Sequence, residues 1–156
     1  MEKKTVDSRK IVDAIAIFLV FAIFIGVVIT NAFSNRVPTK AYSYSGKIGT
    51  GNMIVNSLDE LNEVGNISDD IISKYDEKFF KKKSLVIYYY SYGYTGFGQK
   101  AALDGVYKED GVLLLDIVCY GGNNFAQVIN YTTGTFLIEV KKSDIKGVTS
   151  VKALRD

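Results

Sequence analysis

Tyr88, Tyr89, Tyr90, Tyr92, Tyr94 and Phe97 place six aromatic rings within ten positions and run into the loop Gly93-Tyr94-Thr95-Gly96-Phe97-Gly98. Tyrosine and phenylalanine on a rim present flat, amphipathic surfaces to glycan rings or peptide side chains at little entropy cost. Strands also favour aromatics for cross-strand packing, so the contact residues expected here are those nearest the loop: Tyr92, Tyr94, Thr95, Gly96 and Phe97. The glycines form no phosphate cradle, because no Gly-Lys-Ser/Thr follows them and no strand-loop-helix surrounds them.

Other chemistries are narrowed by composition. The chain of 156 residues holds no histidine, which removes a Ser-His-Asp triad, a Cys-His pair and a helical His-Glu-x-x-His zinc site. Cys119 is the only cysteine, so neither an intrachain disulfide nor a multi-cysteine metal site can form. On an apolar strand face it reads as a small hydrophobe. No nucleophile sits beside a base, and no carboxylate pair clearly lines a cleft, so the expectation is a non-catalytic protein that uses no cofactor. Lys plus Arg number 19 against 17 Asp plus Glu, a formal charge of +2, which gives no electrostatic footprint for nucleic acid.

One carboxylate pair needs a register argument. Lys100 to Lys108 and Val112 to Tyr120 flank the hairpin signal Glu109-Asp110-Gly111. Pairing Lys108 with Val112 gathers Ala101, Leu103, Tyr107, Leu113, Leu115, Ile117 and Cys119 on one apolar face, whereas a shift by one mixes lysines into it. The first register sets Asp104 opposite Asp116. Lys100 and Lys108 would offset that repulsion, with a bound hard cation as the competing compensation.

The elements that position these residues begin with an apolar run. Ala14 to Phe33 carries no charge, and twenty residues of helix span roughly 30 Å, the thickness of a bilayer core. Residues 11–33 are therefore expected to form a single transmembrane helix, with Asp13 at its boundary. Lys3, Lys4, Arg9 and Lys10 in the basic flank 1–10 put the N-terminus in the cytoplasm and the rest of the chain outside the cell. A cleaved signal peptide, with Thr30-Asn31-Ala32 as its cleavage site, is the competing reading, but its apolar region would be shorter. Ala22, Gly26 and Thr30 share one helix face and would permit a weak homodimer.

Residues 34–51, rich in small polar side chains and holding the only proline, read as a stalk, and 52–156 as the extracellular domain. Met53-Ile54-Val55 reads as a strand. Ser57-Leu58-Asp59-Glu60 matches a capping box opening a short helix. Ser68 is expected to cap a second helix, with Ile71, Ile72, Tyr75 and Phe79 on one face and Lys81, Lys82 and Lys83 at its end. Leu85 to Tyr92 is apolar on both faces, as in a central strand covered on two sides. Phe125 to Ile129 and Thr135 to Lys142 supply two more strands. The fold class expected is α+β: an N-terminal transmembrane helix, then an antiparallel sheet of five or six strands with one or two short helices.

The runs Asn56-Ser57-Leu58-Asp59-Glu60-Leu61 and Lys74-Tyr75-Asp76-Glu77-Lys78-Phe79-Phe80-Lys81-Lys82-Lys83-Ser84-Leu85-Val86-Ile87, followed by the Gly-rich loop, carry a resemblance. In them the chain is similar to small surface-anchored proteins of clostridia-like Gram-positive bacteria, distantly related to the family of B-type subunits of protease complexes. The resemblance implies no catalytic residues and a role in assisting an extracellular protease complex. Where those proteins often carry a Thr-Gly-Gly-Tyr-like loop, this chain has Tyr94-Thr95-Gly96-Phe97.

The function expected is thus a membrane-tethered extracellular binding or accessory module with a protein or peptide partner. A pilin-like assembly component is one alternative, because Asp13 heads an apolar helix followed by a β domain; no glycine marks a processing site near Asp13, and Pro38 limits a long helix. An inhibitor of extracellular peptidases is another, suggested by Thr95-Gly96 and Thr132-Thr133-Gly134 as two loops.

Overall fold

The computed structural model describes residues 15–23, 25, 35–49, 51–95, 99–121 and 129–154, the side chains of Tyr94, Thr95, Ile129 and Asn130 excepted. The chain divides into two compact units, Met1–Asn35 and Arg36–Asp156. In the first unit residues 15–23 are helical (α1). Its apolar side chains from Ile15 to Ile23 are exposed, Phe18 by 74%. No described helix is long and apolar enough to cross a membrane. Most of the remaining 11–33 segment, with Gly26 and Thr30, lies outside the described residues.

The second unit is a small α+β fold with mostly antiparallel sheets and few helices. In chain order its elements are β1 (Thr39–Ser45), β2 (Met53–Val55), α2 (Leu58–Asn62), α3 (Asp69–Ile72), α4 (Glu77–Phe80), β3 (Lys83–Thr95), β4 (Lys100–Glu109), β5 (Val112–Tyr120), β6 (Ile129–Lys141) and β7 (Ser150–Ala153). Instead of one sheet there are two: an antiparallel sheet in the order β1-β6-β3-β2, and a sheet β4-β5-β7 in which β7 runs parallel to β5. The short helices pack on one face of the larger sheet and the smaller sheet on the other.

Alternation along β3 builds both cores. Leu85 and Ile87 join Val55, Leu61, Ile71, Tyr75, Phe80 and Leu137 on the helix side. Val86, Tyr88 and Tyr90 join Val106, Leu113, Leu115, Phe136 and Ile138 between the sheets. The two apolar faces expected of a central strand are thus both covered.

The helices follow their caps. Ser57 Oγ accepts from the Glu60 N–H at 3.1 Å, and Glu60 Oε2 reaches back to the Asn56 N–H at 2.7 Å, one residue short of the position a capping box uses. The second helix is not continuous. Ser68 makes no side-chain cap, whereas Asp76 Oδ1 accepts from the Phe79 N–H at 2.8 Å and starts α4 afresh. That restart breaks the helical period, so Phe80 is buried and Phe79 only half-buried. Lys83 enters β3 and pairs with Glu139 at 2.9 Å.

Part of the expected stalk belongs to the domain. Val37 is buried and its N–H donates to the Val106 carbonyl at 2.8 Å, and β1 then pairs with β6 from Thr39↔Val140 to Ser45↔Gly134. Small polar residues between Tyr42 and Tyr44 obscured a period of two. On the other side of β1, β6 is one strand rather than the start of a separate pair; residues 125–128 of the expected strand Phe125 to Ile129 lie outside the described residues.

The hairpin corrects the register argument. Asp110 and Gly111 have φ of 45° and 77°, so they form a two-residue turn of the kind Asp-Gly favours, and Glu109 pairs with Val112. Lys108 consequently stands opposite Leu113, in the register that burial alone disfavoured. Its stem stays half-buried while Nζ reaches out to the Lys146 carbonyl at 2.7 Å. A bulge between Leu103 and Gly105 then restores the expected pairs Leu103↔Ile117 and Ala101↔Cys119. Asp104 is the extra residue, and Asp116 faces Gly105. The inward face takes Val106 in place of Tyr107, and Cys119 is exposed.

Candidate binding face

β3 and β6 outrun their neighbours. They pair from Lys83↔Lys141 to Thr95↔Ile129, but β2 accompanies β3 only at Leu85–Ile87, and β1 accompanies β6 only at Gly134–Val140. The ends Ser91–Thr95 and Ile129–Thr133 therefore form a two-stranded ribbon beyond the four-stranded sheet.

One face of the ribbon turns toward the smaller sheet. Tyr92 is half-buried against the inter-sheet core and stacks on Tyr90 at 5.9 Å, and Tyr90 stacks on Phe136 at 4.7 Å. Thr132 Oγ1 donates to the Gln99 carbonyl at 2.9 Å, fastening the ribbon to the start of β4.

The opposite face, on the helix side of the sheet, is open: Ser91, Gly93, Tyr131 and Thr133 are all exposed. Tyr131 is 68% exposed, and its ring lies over its cross-strand partner Gly93, where a Cβ would stand 3.2 Å from Cε1. Glycine is what lets the ring rest on backbone, with its outer face toward solvent.

At the root of the ribbon Tyr44, Thr135 and Tyr89 form one cross-strand row. The loop between β1 and β2 is pinned above it. Thr135 Oγ1, fully buried, accepts from the Ile48 N–H and donates to the Gly46 carbonyl, each at 2.9 Å. Asn52 Oδ1 accepts from the Tyr89 N–H at 2.8 Å, where β2 has stopped. So held, the loop puts Lys47 Nζ 5.6 Å from the Tyr89 ring centre. Beside it Lys74 Nζ donates to the Tyr44 hydroxyl at 3.3 Å. Further along β1, Lys40 stands over Tyr42, and a hydrogen bond to that phenol raises the ammonium pKa above its ordinary value. Elsewhere burial pushes up the Tyr75 phenol, helped by the Glu139 charge, and burial also raises the Cys119 thiol.

Thr135→Val preserves shape and strand preference but removes both bonds to the loop and leaves the Ile48 N–H buried. A loss of about 1–2 kcal/mol is expected. Urea titration checks it; an unchanged midpoint would show the loop to be held by other means.

The expected contact residues divide. Tyr92 faces inward, and Tyr94 and Thr95 lie in β3 opposite Asn130 and Ile129, with side chains outside the described residues. Gly96 and Phe97 are also outside them. Ala22 is exposed on α1. Asp104 and Asp116 are not opposed, and among the described residues no group of three His, Cys, Asp or Glu side chains could hold a metal. Thr132-Thr133-Gly134 is strand, which removes one of the two loops behind the inhibitor reading. Sequence reasoning missed Tyr131, Ser91, Thr133 and Lys47; the available signal was β-branched Thr132-Thr133 continuing the strand toward Tyr131.

The face can stack on a ring, hydrogen-bond through hydroxyls and attract an anion. No protein-family model, curated protein or solved structure matches this chain.

Proposed function

We propose that the protein is a membrane-tethered extracellular binding module, non-catalytic, whose domain meets its partner through the open face of the β3–β6 ribbon. The observation that carries the reading is Tyr131: a large ring, 68% exposed, seated on Gly93 in a ribbon whose other side is anchored by Tyr92 and Thr132. A rigid aromatic on a fixed backbone gives up little entropy on contact. The tether rests on the uncharged run Ala14 to Phe33, and the exposed apolar side chains of α1 suit a lipid surround. Basic residues ahead of the run favour a cytoplasmic N-terminus. Assisting a cell-surface protein or protease complex is the accessory form of the same role.

A membrane-impermeant cross-linker applied to intact cells carrying the full chain tests location and face together. Surface material should be recovered with the native chain, and about tenfold less with Tyr131→Ala, the loss of about 1.4 kcal/mol of binding. Absence of cross-linking would place the domain inside. Equal recovery from the two chains would move the contact elsewhere.

A further inference from the structure

We propose that the ligand of this face is an anionic glycan, a chain of sugar rings bearing phosphodiester or similar negative groups; the inference rests on the binding-module reading and names its ligand class. The first argument is shape. Peptide anchors are held in pockets that enclose them, whereas the Tyr131 ring lies over Gly93 and offers one open face. An open aromatic face flanked by the hydroxyls of Ser91 and Thr133, both exposed, matches a pyranose, which has an apolar C–H face rimmed by hydroxyl groups.

The second argument is charge. Lys47 and Lys74 stand over the Tyr89 and Tyr44 rings, each 5.6 Å from the ring centre. Neither makes an ion pair among the described residues, where Lys83–Glu139 is the only salt bridge. No Asp or Glu occurs from Ala14 to Leu58, from Ser84 to Leu103 or from Ile117 to Ile138, so β1, β2, the loop between them, all of β3 beyond Lys83 and the ribbon half of β6 lack a carboxylate. A cationic end and a neutral stacking end therefore lie on one surface. Tyr89 and Gly93 are four residues apart on β3, about 13 Å along a strand. One sugar ring cannot cover both ends, but a short charged oligosaccharide can.

Binding should be measured with the full chain in nanodiscs of neutral phosphatidylcholine, using glucosylated poly(glycerol phosphate) as the probe. Bare poly(glycerol phosphate), a neutral gluco-oligosaccharide and poly-glutamate are the comparators. The glucosylated polymer should bind at least about tenfold tighter than each of them. Tyr131→Ala should remove that advantage over the bare polymer while leaving the bare polymer's affinity unchanged. Lys47→Gln should weaken both polymers and flatten their salt dependence. Equal binding of bare polymer and poly-glutamate, indifferent to Tyr131, would reduce the face to nonspecific charge and overturn the proposal. Equal binding of the neutral sugar, or tighter binding of the acidic peptide, would overturn it also. If the cross-linked surface partner still depends on Tyr131 while no polymer binds, the ligand class fails and the binding module stands; if neither depends on Tyr131, both fall.

Discussion

Leu137→Ala should destabilise the domain by about 3 kcal/mol, within the range of about 2–5 kcal/mol for buried leucine truncations. Leu137 is fully buried, opposite Ile87 on one side and Tyr42 on the other, in the cluster that the helices close with Leu61, Ile71 and Phe80. The cavity cannot collapse easily. The adjacent residues on β6, Phe136 and Ile138, are committed to the inter-sheet core, so any movement of the strand toward the helices opens a gap behind it. Urea unfolding of the full chain in detergent, followed by tyrosine fluorescence, measures the loss. Tyr131→Ala on the same strand should stay within about 0.5 kcal/mol, because an exposed side chain leaves no cavity. A Leu137→Ala cost below about 1 kcal/mol would mean that the helix layer does not pack as described.

The contrast between these two positions shows what the sequence discloses. Leu85 to Tyr92 announced a strand covered on both sides because its residues are apolar at odd and even positions alike, and burial responds to that pattern directly. Met53–Val55 and the helix after Ser57 were legible for a similarly local reason: a short apolar run and a cap whose donors and acceptors lie within four residues. The partition into two sheets was not legible. It depends on β5 taking β7 as a parallel neighbour, a pairing between distant segments with no turn signal to mark it.

The hairpin shows two local rules in competition. The apolar face favoured Lys108 opposite Val112, but Asp110-Gly111 supplies both positive φ angles of a two-residue turn, and that geometry decides the near half. The bulge at Asp104 returns the far half to the register that burial prefers, so each rule governs part of one ladder. The binding face was hidden by the same kind of ambiguity. Six clustered aromatics pointed to β3, but alternation sends Tyr90 and Tyr92 inward, and the exposed ring comes from β6. Parity alone could have separated the two faces of β3. Which face lies open depends on where the helices and the loop from Gly46 to Asn52 stop.

Gly134→Ala tests how the ribbon is joined to the sheet. Gly134 lies on β6 between Ser45 and Tyr90, at the last rung that β1 shares. A Cβ there would collide with the Tyr90 hydroxyl and stand 2.7 Å from both Tyr90 Cζ and the Tyr44 carbonyl oxygen. The tyrosine could swing away only by leaving its stacks on Phe136 and Tyr92, and the carbonyl belongs to β1 backbone, which is tied to β6 on either side. Overpacking with backbone among the obstacles belongs at the upper end of its usual range, so a loss of about 3 kcal/mol is expected. The damage should also reach the binding face. Moving Tyr90 displaces Tyr92, the inward anchor of the ribbon, and so loosens the strand that carries Gly93 beneath Tyr131. The expected result is a lower unfolding midpoint together with faster amide exchange at Ser91 to Gly93, while the helix-side core around Leu61 keeps its protection. Exchange that rises equally throughout the domain would mean that Gly134 supports the whole sheet rather than the ribbon, and an unchanged midpoint would show that Tyr90 does not cross Gly134 at all.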